Sequence, residues 1–495
     1  MAESDLDLAR FGTVFKAFME AAVDAAVPPS SPLLDRIATH LGADPSQLPV
    51  ISEEYDSFDQ PNFQVAMDEY IQAPGRHADL VGIGADNKGF GSHSLSDFLS
   101  RSERMPLVEG PVDYMNFRLA GDQVLGCVHF GLYLVDGADR KLVVFVAGPV
   151  EHSPFEKLRV DVLALEPEIG QAFLREIGEL MERLNVYRGH IISLAPGEFG
   201  PGRHPLVAFH TLPHITREDV ILPEGVLERI ERETVVFAEQ AKRLRAAGLS
   251  LKRGLLLFGP PGVGKTLTIE YLCGRMPGRT IFLTSGLGLG LLQPVMQLAR
   301  ALAPSMVVLE DVDLIAQERM MPGAGTNPLL FQLLNEMDGL KDDCDVIFLL
   351  TTNRAELLEA ALAARPGRID LAVELPLPDK ADRVRLLELY ARGLELSDVD
   401  LDALSERIEG ATPAYIKELL RKAAVLAATE GPEMVVTAAH VETALAELDA
   451  GGRLAQRLLG FHSDDDELGP EPVPSPTGFP HSGGWFSYSV QSKRH

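Results

Sequence analysis

The chain has 495 residues, of which 46% are hydrophobic and 24% charged, and its formal net charge at pH 7 is −27. This length allows two or three domains with hydrophobic cores, while the strong negative charge disfavours non-specific binding to nucleic-acid phosphates. No apolar run reaches the ~18 residues that a membrane-spanning helix needs, and the acidic start, Met1 to Asp5, lacks the basic residues of a secretory signal.

An α+β N-terminal domain of unknown role is predicted for residues 1–213. Residues 1–27 have the apolar spacing of one amphipathic helix. Residues 30–110 carry mixed signals, and no fold is assigned to them. Residues 115–195 are rich in β-forming runs and end in a helical pattern.

Three segments of this domain have sequence patterns that predict a particular structure. Gln123–Val135 and Lys141–Val146, separated by a turn sequence with Asp and Gly, predict a β-hairpin. Glu166–Val186 has helical spacing with a proline near its start. Pro196–Pro213 is rich in glycine and proline and predicts a linker to the next domain.

The most informative part of the chain is a glycine-rich loop between an apolar run and a helical pattern. Its residues are Gly259, Pro260, Pro261, Gly262, Val263, Gly264, Lys265, Thr266 and Leu267. Strand, glycine loop and helix form the context that a phosphate-binding P-loop requires. Backbone N–H groups of the loop can surround an anion, and the following helix adds its positive end. Lys265 can then reach the phosphates of ATP, and the Thr266 hydroxyl can hold Mg²⁺.

Five apolar runs, mostly separated by helical stretches, lie within residues 214–376. They are Leu255–Phe258, Thr280–Thr284, Met306–Leu309, Val346–Thr351 and Leu371–Leu375. This alternation predicts an α/β core with a parallel sheet covered by helices on both faces. Ligands bind at the carboxyl edge of such a sheet, where the P-loop lies.

Polar residues close two of these runs. Glu310 and Asp311 follow the third run, which is predicted to lie beside the P-loop strand. Glu310 is the candidate metal ligand together with Thr266, and Asp311 is the candidate base that activates water. Asn353 follows the next run and can orient that water, with a turn-forming asparagine as the alternative.

Arg365 and Arg368 flank a Pro-Gly turn. Two guanidinium groups on a rigid turn suit bidentate phosphate contact. Because they lie far along the chain from Lys265, they are predicted to face outward and to serve the nucleotide of a neighbouring subunit as arginine fingers. Surface salt bridges are the alternative interpretation.

The C-terminal part divides in two. Residues 377–450 contain four stretches with apolar spacing near 3.6 and predict an all-α lid. Residues 451–495 are rich in Gly, Pro and Ser, include an acidic run, and predict a disordered tail.

These motifs, in this order and spacing, resemble the AAA family of ATPases over about residues 219–448. The matched positions are Walker A (Lys265, Thr266), Walker B (Glu310, Asp311), sensor 1 (Asn353) and the arginines of the second region of homology (Arg365, Arg368). The resemblance also implies that Val220 and Ile221 read the adenine edge and that Ala414 packs on adenine. It further implies a homohexameric ring that binds ATP and Mg²⁺ between subunits and acts on a protein client.

The sequence departs from the family pattern in two places. The acidic pair has the order Glu310-Asp311 instead of Asp-Glu, which resembles the branch of the mitochondrial Rieske-protein translocase. The run Gly286–Leu291 stands where threading members carry an aromatic pore-loop residue. No His-Glu-x-x-His sequence occurs, so the zinc-protease motif of some relatives is absent from this sequence.

Three functions are compatible with these features. The first is a remodelling ATPase that acts as a ring on an unidentified client in the cytoplasm, where the three cysteines would stay reduced. The second is a nucleotide-gated scaffold that binds ATP with little hydrolysis, suggested by the reversed acidic pair. The third, a DNA-handling machine, is disfavoured by the negative charge.

Overall fold

The structure is a computed structural model that describes residues 13–18, 31–84, 94–101, 107–137, 140–149, 157–195, 206–284, 291–313, 328–339, 344–355, 368–430 and 434–450. Two compact units are present, one ending at Pro376 and the other beginning at Leu377. Of the helix predicted within residues 1–27, residues 13–18 are described and are helical, while the tail predicted for 451–495 lies outside the described residues. Among the described residues, no helix is long and apolar enough to cross a membrane.

The amino-terminal part of the first unit is built on a seven-stranded antiparallel sheet. Its strands are β1 (Val50–Asp56), β2 (Arg76–Ile83), β3 (Glu109–Gly110), β4 (Asp113–Arg118), β5 (Val124–Gly137), β6 (Arg140–Ala147) and β7 (Lys157–Ala164). They follow the order β1-β7-β6-β5-β2-β3, and β4 pairs with β5. β5 and β6 form the predicted hairpin, whose last pair is Gly137 with Arg140.

Helices cover both faces of this sheet. They are Pro32–Leu41 and Leu95–Arg101 on one face, and Gln60–Gln72 and Pro167–Arg183 on the other. Alternate residues of β6 face opposite sides of the sheet. Phe145 packs in the hydrophobic cluster under the first pair of helices, and Val144 packs in the cluster under the second pair. The α+β class predicted for this region is therefore what the structure shows.

The region 30–110, to which the sequence analysis assigned no fold, contains regular elements. Its helix Gln60–Gln72 buries polar residues, including Gln60, Asn62 and Gln64. Gln60 donates through Nε2 to the carbonyl oxygen of Val128 at 2.8 Å, and the N–H of Val128 donates to Oε1 of Gln64 at 2.9 Å. Because the buried face of this helix is partly polar, its sequence lacks the apolar period that predicts a helix.

A second seven-stranded sheet forms the core of the rest of the first unit. Its strands are β8 (Ile191–Ala195), β9 (Leu206–His210), β10 (Arg253–Phe258), β11 (Thr280–Thr284), β12 (Ser305–Leu309), β13 (Val346–Thr352) and β14 (Leu371–Glu374). They follow the order β14-β10-β13-β12-β11-β8-β9, and all neighbours are parallel except β8 and β9. The predicted parallel sheet is confirmed.

The sheet order corrects two predictions. β13 lies between β10 and β12, so the acidic pair does not follow a strand beside the P-loop strand. Residues 191–195 and 206–210 form an edge hairpin of the core sheet, with Ile191 level with Ile281 of β11. The stretch 196–213 is therefore not simply a linker, and the core begins before residue 214. The short edge strands were missed because glycine and proline around them dominate the local composition.

Helices flank the core strands. They are Val226–Glu231, Phe237–Glu239, Ala241–Ala246, Lys265–Arg275, Leu292–Ala301 and Pro328–Asp338. A π-helical turn, Arg232–Val236, joins the first two of these helices. Residues 226–246, before β10, thus form a series of short helical segments.

The second unit is mostly helical. Its helices are Lys380–Tyr390, Leu401–Arg407, Pro413–Glu430 and Ala438–Ala450. Two short strands, β15 (Glu395–Ser397) and β16 (Val435–Thr437), pair in parallel. The unit is therefore not all-α as predicted, because three-residue strands give too short a pattern to be read from the sequence.

Tyr187 joins the two sheets of the first unit. Its side chain is 2% exposed and packs in the core-sheet cluster with Phe58, Ile192 and Val295. Its hydroxyl donates to the carbonyl oxygen of Phe58 at 2.5 Å. Phe58 lies in the 3-10 turn Ser57–Asp59, which leads into the helix Gln60–Gln72 on the amino-terminal sheet. One hydrophobic cluster thus contains residues from both parts of the unit.

We expect Tyr187→Phe to lower the free energy of unfolding by about 1 to 3 kcal/mol, because the buried carbonyl of Phe58 loses its donor. Denaturant unfolding followed by circular dichroism measures this change. Tyr114→Phe is the matched control, since Tyr114 is 59% exposed. Equal stability of the Tyr187 variant and the wild type would contradict this role of the hydroxyl.

Candidate functional site

The P-loop follows β10 and closes against the end of the neighbouring strand. Gly259 has φ 146°, and a Cβ at this position would lie 2.2 Å from the carbonyl oxygen of Leu375. Gly264 has φ 102° and caps the helix Lys265–Arg275. Both backbone conformations favour glycine, and the first leaves no space for a side chain. The glycines therefore fix the loop at the start of a helix, where an anion is favoured.

Lys265 points into this loop. Its side-chain Nζ donates to the carbonyl oxygens of Gly259 and Pro260, both at 2.8 Å. Burial lowers the pKa of Lys265 to about 8, although the nearby carboxylates of Asp311 and Asp313 act in the opposite direction. A triphosphate would offer this ammonium charged oxygens in place of the two neutral carbonyls.

The two residues predicted to hold Mg²⁺ are in contact. The Thr266 hydroxyl donates to Oε1 of Glu310 at 3.0 Å. Glu310 follows β12, and its N–H donates to the carbonyl oxygen of Thr284 at 3.0 Å. A hydroxyl and a carboxylate fit Mg²⁺, which binds few protein ligands and completes its shell with phosphate oxygens and water.

The candidate base and the candidate sensor are also in contact. Asn353 donates through Nδ2 to Oδ1 of Asp311 at 3.0 Å. Asp311 has φ 51°, a left-handed conformation that is uncommon outside glycine. Its N–H donates to the Thr351 hydroxyl oxygen at 3.1 Å. The end of β13 therefore holds both the backbone and the carboxylate of Asp311.

Asp313 and Thr351 were given no role by the sequence analysis. Asp313 is 4% exposed and accepts hydrogen bonds from the Thr352 hydroxyl at 3.0 Å and from the N–H of Asn353 at 3.2 Å. It thereby fixes the turn that carries Asn353. The available signal was a third acid in the same run, together with two hydroxyl residues directly before the asparagine.

The two predicted arginine fingers are placed differently. Arg365 lies outside the described residues. Arg368 is not exposed as predicted: its side chain is 6% exposed and forms an ion pair with Asp338. A residue reaching toward a neighbouring subunit would have its charge at the surface, so the structure does not support that prediction for Arg368.

The predicted adenine contacts fall in both units. Val220 and Ile221 are buried, and the N–H of Val220 donates to the carbonyl oxygen of Arg217 at 3.2 Å. Ala414 belongs to the second unit, where it is exposed in the first turn of the helix Pro413–Glu430. The adenine-binding roles of these three residues stay predictions.

Part of the chain matches a known protein family. Residues 255–377 match the ATPase family associated with various cellular activities (AAA). Similar curated proteins include the ATP-dependent zinc metalloprotease FtsH of Acidothermus cellulolyticus, 37% identical over 249 residues that cover 47% of this chain and 37% of that protein. FtsH 3 of Sphaerobacter thermophilus is 35% identical over 274 residues, which cover 52% of this chain and 55% of that protein.

The FtsH of Thermus thermophilus is 35% identical over 234 residues, covering 44% of this chain and 37% of that protein. The chain thus spans between 37% and 55% of the length of these three relatives. Residues 255–377 are thus similar to the AAA family of ATPases, and this similarity supports Mg²⁺-dependent ATP hydrolysis as the chemistry of the matched region.

We expect the affinity for ATP to fall as the pH rises through about 8. Below this pH the side chain of Lys265 is charged, and above it Lys265 of the free protein has lost its proton. Because the phosphates of ATP favour the ammonium form, ATP binding above pH 8 must return the proton to Lys265. The affinity should fall at most about tenfold per pH unit above 8. Calorimetry from pH 7 to 9.5, in buffers with different ionisation enthalpies, measures both the affinity and the proton uptake.

Lys265→Arg is the control for this measurement, since a guanidinium stays charged throughout the range. The variant should bind without proton uptake. Absence of proton uptake by the wild type above pH 8 would contradict a contact between Lys265 and the phosphates.

Proposed function

We propose that this chain is an ATP-dependent ATPase that remodels a protein or complex, acts as a ring-shaped oligomer and hydrolyses ATP at subunit interfaces. The observation that carries the proposal is the pair of contacts at the strand ends, Thr266 with Glu310 and Asn353 with Asp311. The first pair is a metal-binding arrangement and the second a water-activating one. Both lie beside the loop that binds phosphate.

Each residue has a distinct part in this reaction. Lys265 and the loop N–H groups hold the triphosphate, and Thr266 and Glu310 are the residues that would bind the metal. Bound Mg²⁺ supplies positive charge that offsets the charge on the phosphate oxygens. Asp311 accepts the proton of the attacking water, and the amide of Asn353 orients that water. Asp313 keeps Asn353 in place by accepting its N–H.

The reversed acidic pair is compatible with this reaction. Asp311 is one methylene shorter than the usual glutamate, but its left-handed backbone is held by Thr351. A carboxylate on a fixed backbone points in a defined direction. General base catalysis requires first that the base lies in the correct position, and only then that its pKa is suitable. The resemblance of the order Glu310-Asp311 to the Rieske-translocase branch supports the same interpretation.

The ring and the client are further parts of the proposal. An outward-facing Arg365 would complete the site of a neighbouring subunit, which requires an oligomer. The relatives are named ATP-dependent proteases, which supports a protein client for this chain too. Its free thiols, two of them buried, are consistent with a cytoplasmic location.

A nucleotide-gated scaffold that binds ATP with little hydrolysis is the second candidate. The shorter base favours it, because a missing methylene moves the carboxylate oxygens by roughly 1 Å. A scaffold would change its oligomeric state with ATP and release no phosphate above background.

We expect Asp311→Asn to bind ATP with about wild-type affinity and to lower steady-state phosphate release about 100-fold or more, because the amide cannot take a proton from water. Filter binding and a phosphate-release assay measure the two quantities. Lys265→Ala is the control that should lose nucleotide binding itself. Absence of phosphate release by the wild type would favour the scaffold.

We expect Arg365→Ala to lower the rate of ATP hydrolysis about 1,000-fold while nucleotide binding persists, because the transition-state charge loses its guanidinium partner. Mixing this variant with Lys265→Ala subunits should restore part of the activity, since those subunits contribute an intact Arg365. Hydrolysis by the Arg365 variant at the wild-type rate would exclude a shared site.

A further inference from the structure

β4 is an outer strand of the amino-terminal sheet. It spans Asp113–Arg118 and, among the strands that the structure describes, it pairs with β5 alone. The second edge of such a strand carries backbone N–H and C=O groups that can pair with a strand of another molecule. The side chains and backbone groups on this edge of β4 therefore decide what can bind there.

The hydrogen bonds of β5 show which residues of β4 direct their backbone groups to the outer edge. The N–H and C=O of Val128 bond to the side chains of Gln64 and Gln60, so they point away from β4. Val128 lies opposite Tyr114, and opposite residues of an antiparallel pair either bond to each other or both point away. This direction alternates along the strand. The residues with outward backbone groups are therefore Tyr114, Asn116 and Arg118.

The two outer strands of this sheet differ in the side chains that they present. β1 carries Glu53, Glu54 and Asp56, and acids along an edge repel a second copy of the same strand. β4 presents apolar side chains instead: Tyr114 is 59% exposed and Met115 is 37% exposed. An edge strand with exposed apolar side chains favours pairing with another strand.

The sequence of β4 is complementary to itself in an antiparallel pair. Residues with outward backbone groups must lie opposite one another in such a pair. A two-fold axis at Asn116 meets this condition, because it places Asn116 opposite Asn116 of the second copy and Tyr114 opposite Arg118. This register uses all three outward residues, whereas an axis at Met115 or Phe117 leaves one of them without a partner.

The opposed side chains in this register have compatible chemistry. The guanidinium of Arg118 meets the ring of Tyr114, an attractive pairing of a cation with an aromatic face. On the other face of the strand Met115 meets Phe117, and a thioether packs favourably against an aromatic ring. The two amides of Asn116 can each donate to and accept from the other. Each contact occurs twice except the one on the axis, as a two-fold interface requires.

We propose that β4 pairs with β4 of a second copy of this chain, antiparallel and centred on Asn116, so that two amino-terminal sheets form one continuous sheet. The contact spans five residues, about 17 Å. It is small beside the ~1,200 Å² of a stable dimer interface, so it is weak alone and adds most where copies are already held together. It uses no residue of the candidate ATP site and goes beyond the proposed function.

Opposite charges at Asn116 test this register in the full chain. Asn116→Asp and Asn116→Lys each place like charges opposite one another at the axis, so each should raise the dissociation constant for self-association about fivefold or more. An equimolar mixture of the two variants should associate at least as tightly as the wild type, because a carboxylate then meets an ammonium. Sedimentation velocity without nucleotide measures all four samples.

Two outcomes of this experiment would overturn the proposal. One is a mixture that associates no more tightly than either variant alone. The other is a wild type that stays monomeric at every concentration, which would leave the edge of β4 to an extended segment of a different protein.

Cysteine substitution gives an independent measurement of the register. Opposed residues of a hydrogen-bonded pair have Cα atoms about 5.5 Å apart, within the range of a disulfide. Asn116→Cys should therefore cross-link two copies under mild oxidation. Arg118→Cys is the matched control: it is an exposed residue of the same edge but faces Tyr114, and it should not cross-link. Equal cross-linking of the two variants would contradict an axis at Asn116.

The native thiols and the nucleotide site are controlled separately. Cys127 and Cys273 are buried, and the wild type under the same oxidation gives the background on a non-reducing gel. Lys265→Ala, combined with Asn116→Cys, should cross-link as fully as Asn116→Cys alone, because strand pairing needs no ATP. Failure of ATP hydrolysis and failure of strand pairing are therefore observed independently.

Discussion

The structure of the site depends on the register of three parallel strands. Phe258 at the end of β10 is level with Thr352 of β13, and Leu309 of β12 is level with Leu350 of β13. Because these strands end close to one another, the loops that follow them must share a small space at the carboxyl edge of the sheet. The side chains that leave the three ends are therefore in contact, although they lie almost 90 residues apart in the sequence.

The electrostatics of this edge follow from the same crowding. A buried lysine lies near carboxylates, and burial lowers its pKa while Asp311 and Asp313 raise it. Hydroxyl and amide groups separate the carboxylates: Thr266 contacts Glu310, Asn353 contacts Asp311, and Thr352 contacts Asp313. Each acid thus has a hydrogen-bond donor of its own, which fixes the direction of its carboxylate at the edge of the sheet.

Charged residues also pair at the amino-terminal ends of the strands, on the side of the sheet opposite the candidate site. Arg279 and Asp345 form a buried ion pair at 2.8 Å, and the N–H of Ser305 donates to the carbonyl oxygen of Asp345 at 3.0 Å. Breaking a buried ion pair leaves an unpaired charge and is strongly destabilising. This ion pair therefore links the starts of β11 and β13 at the end of the sheet opposite the candidate site.

The sequence by itself determined the P-loop, the five core strands and the α/β class of the core, and it predicted the roles of Lys265, Glu310, Asp311 and Asn353. These features have local patterns: apolar runs of fixed length, a glycine spacing, and polar residues directly after strands. Only the tertiary structure decided the order of the strands, the edge hairpin before residue 214, the hydrogen bonds made by Thr351 and Asp313, and the burial of Arg368 against Asp338. The reason is that strand order and side-chain contacts depend on residues distant in the chain, and no pattern within one segment records which distant segment it will meet.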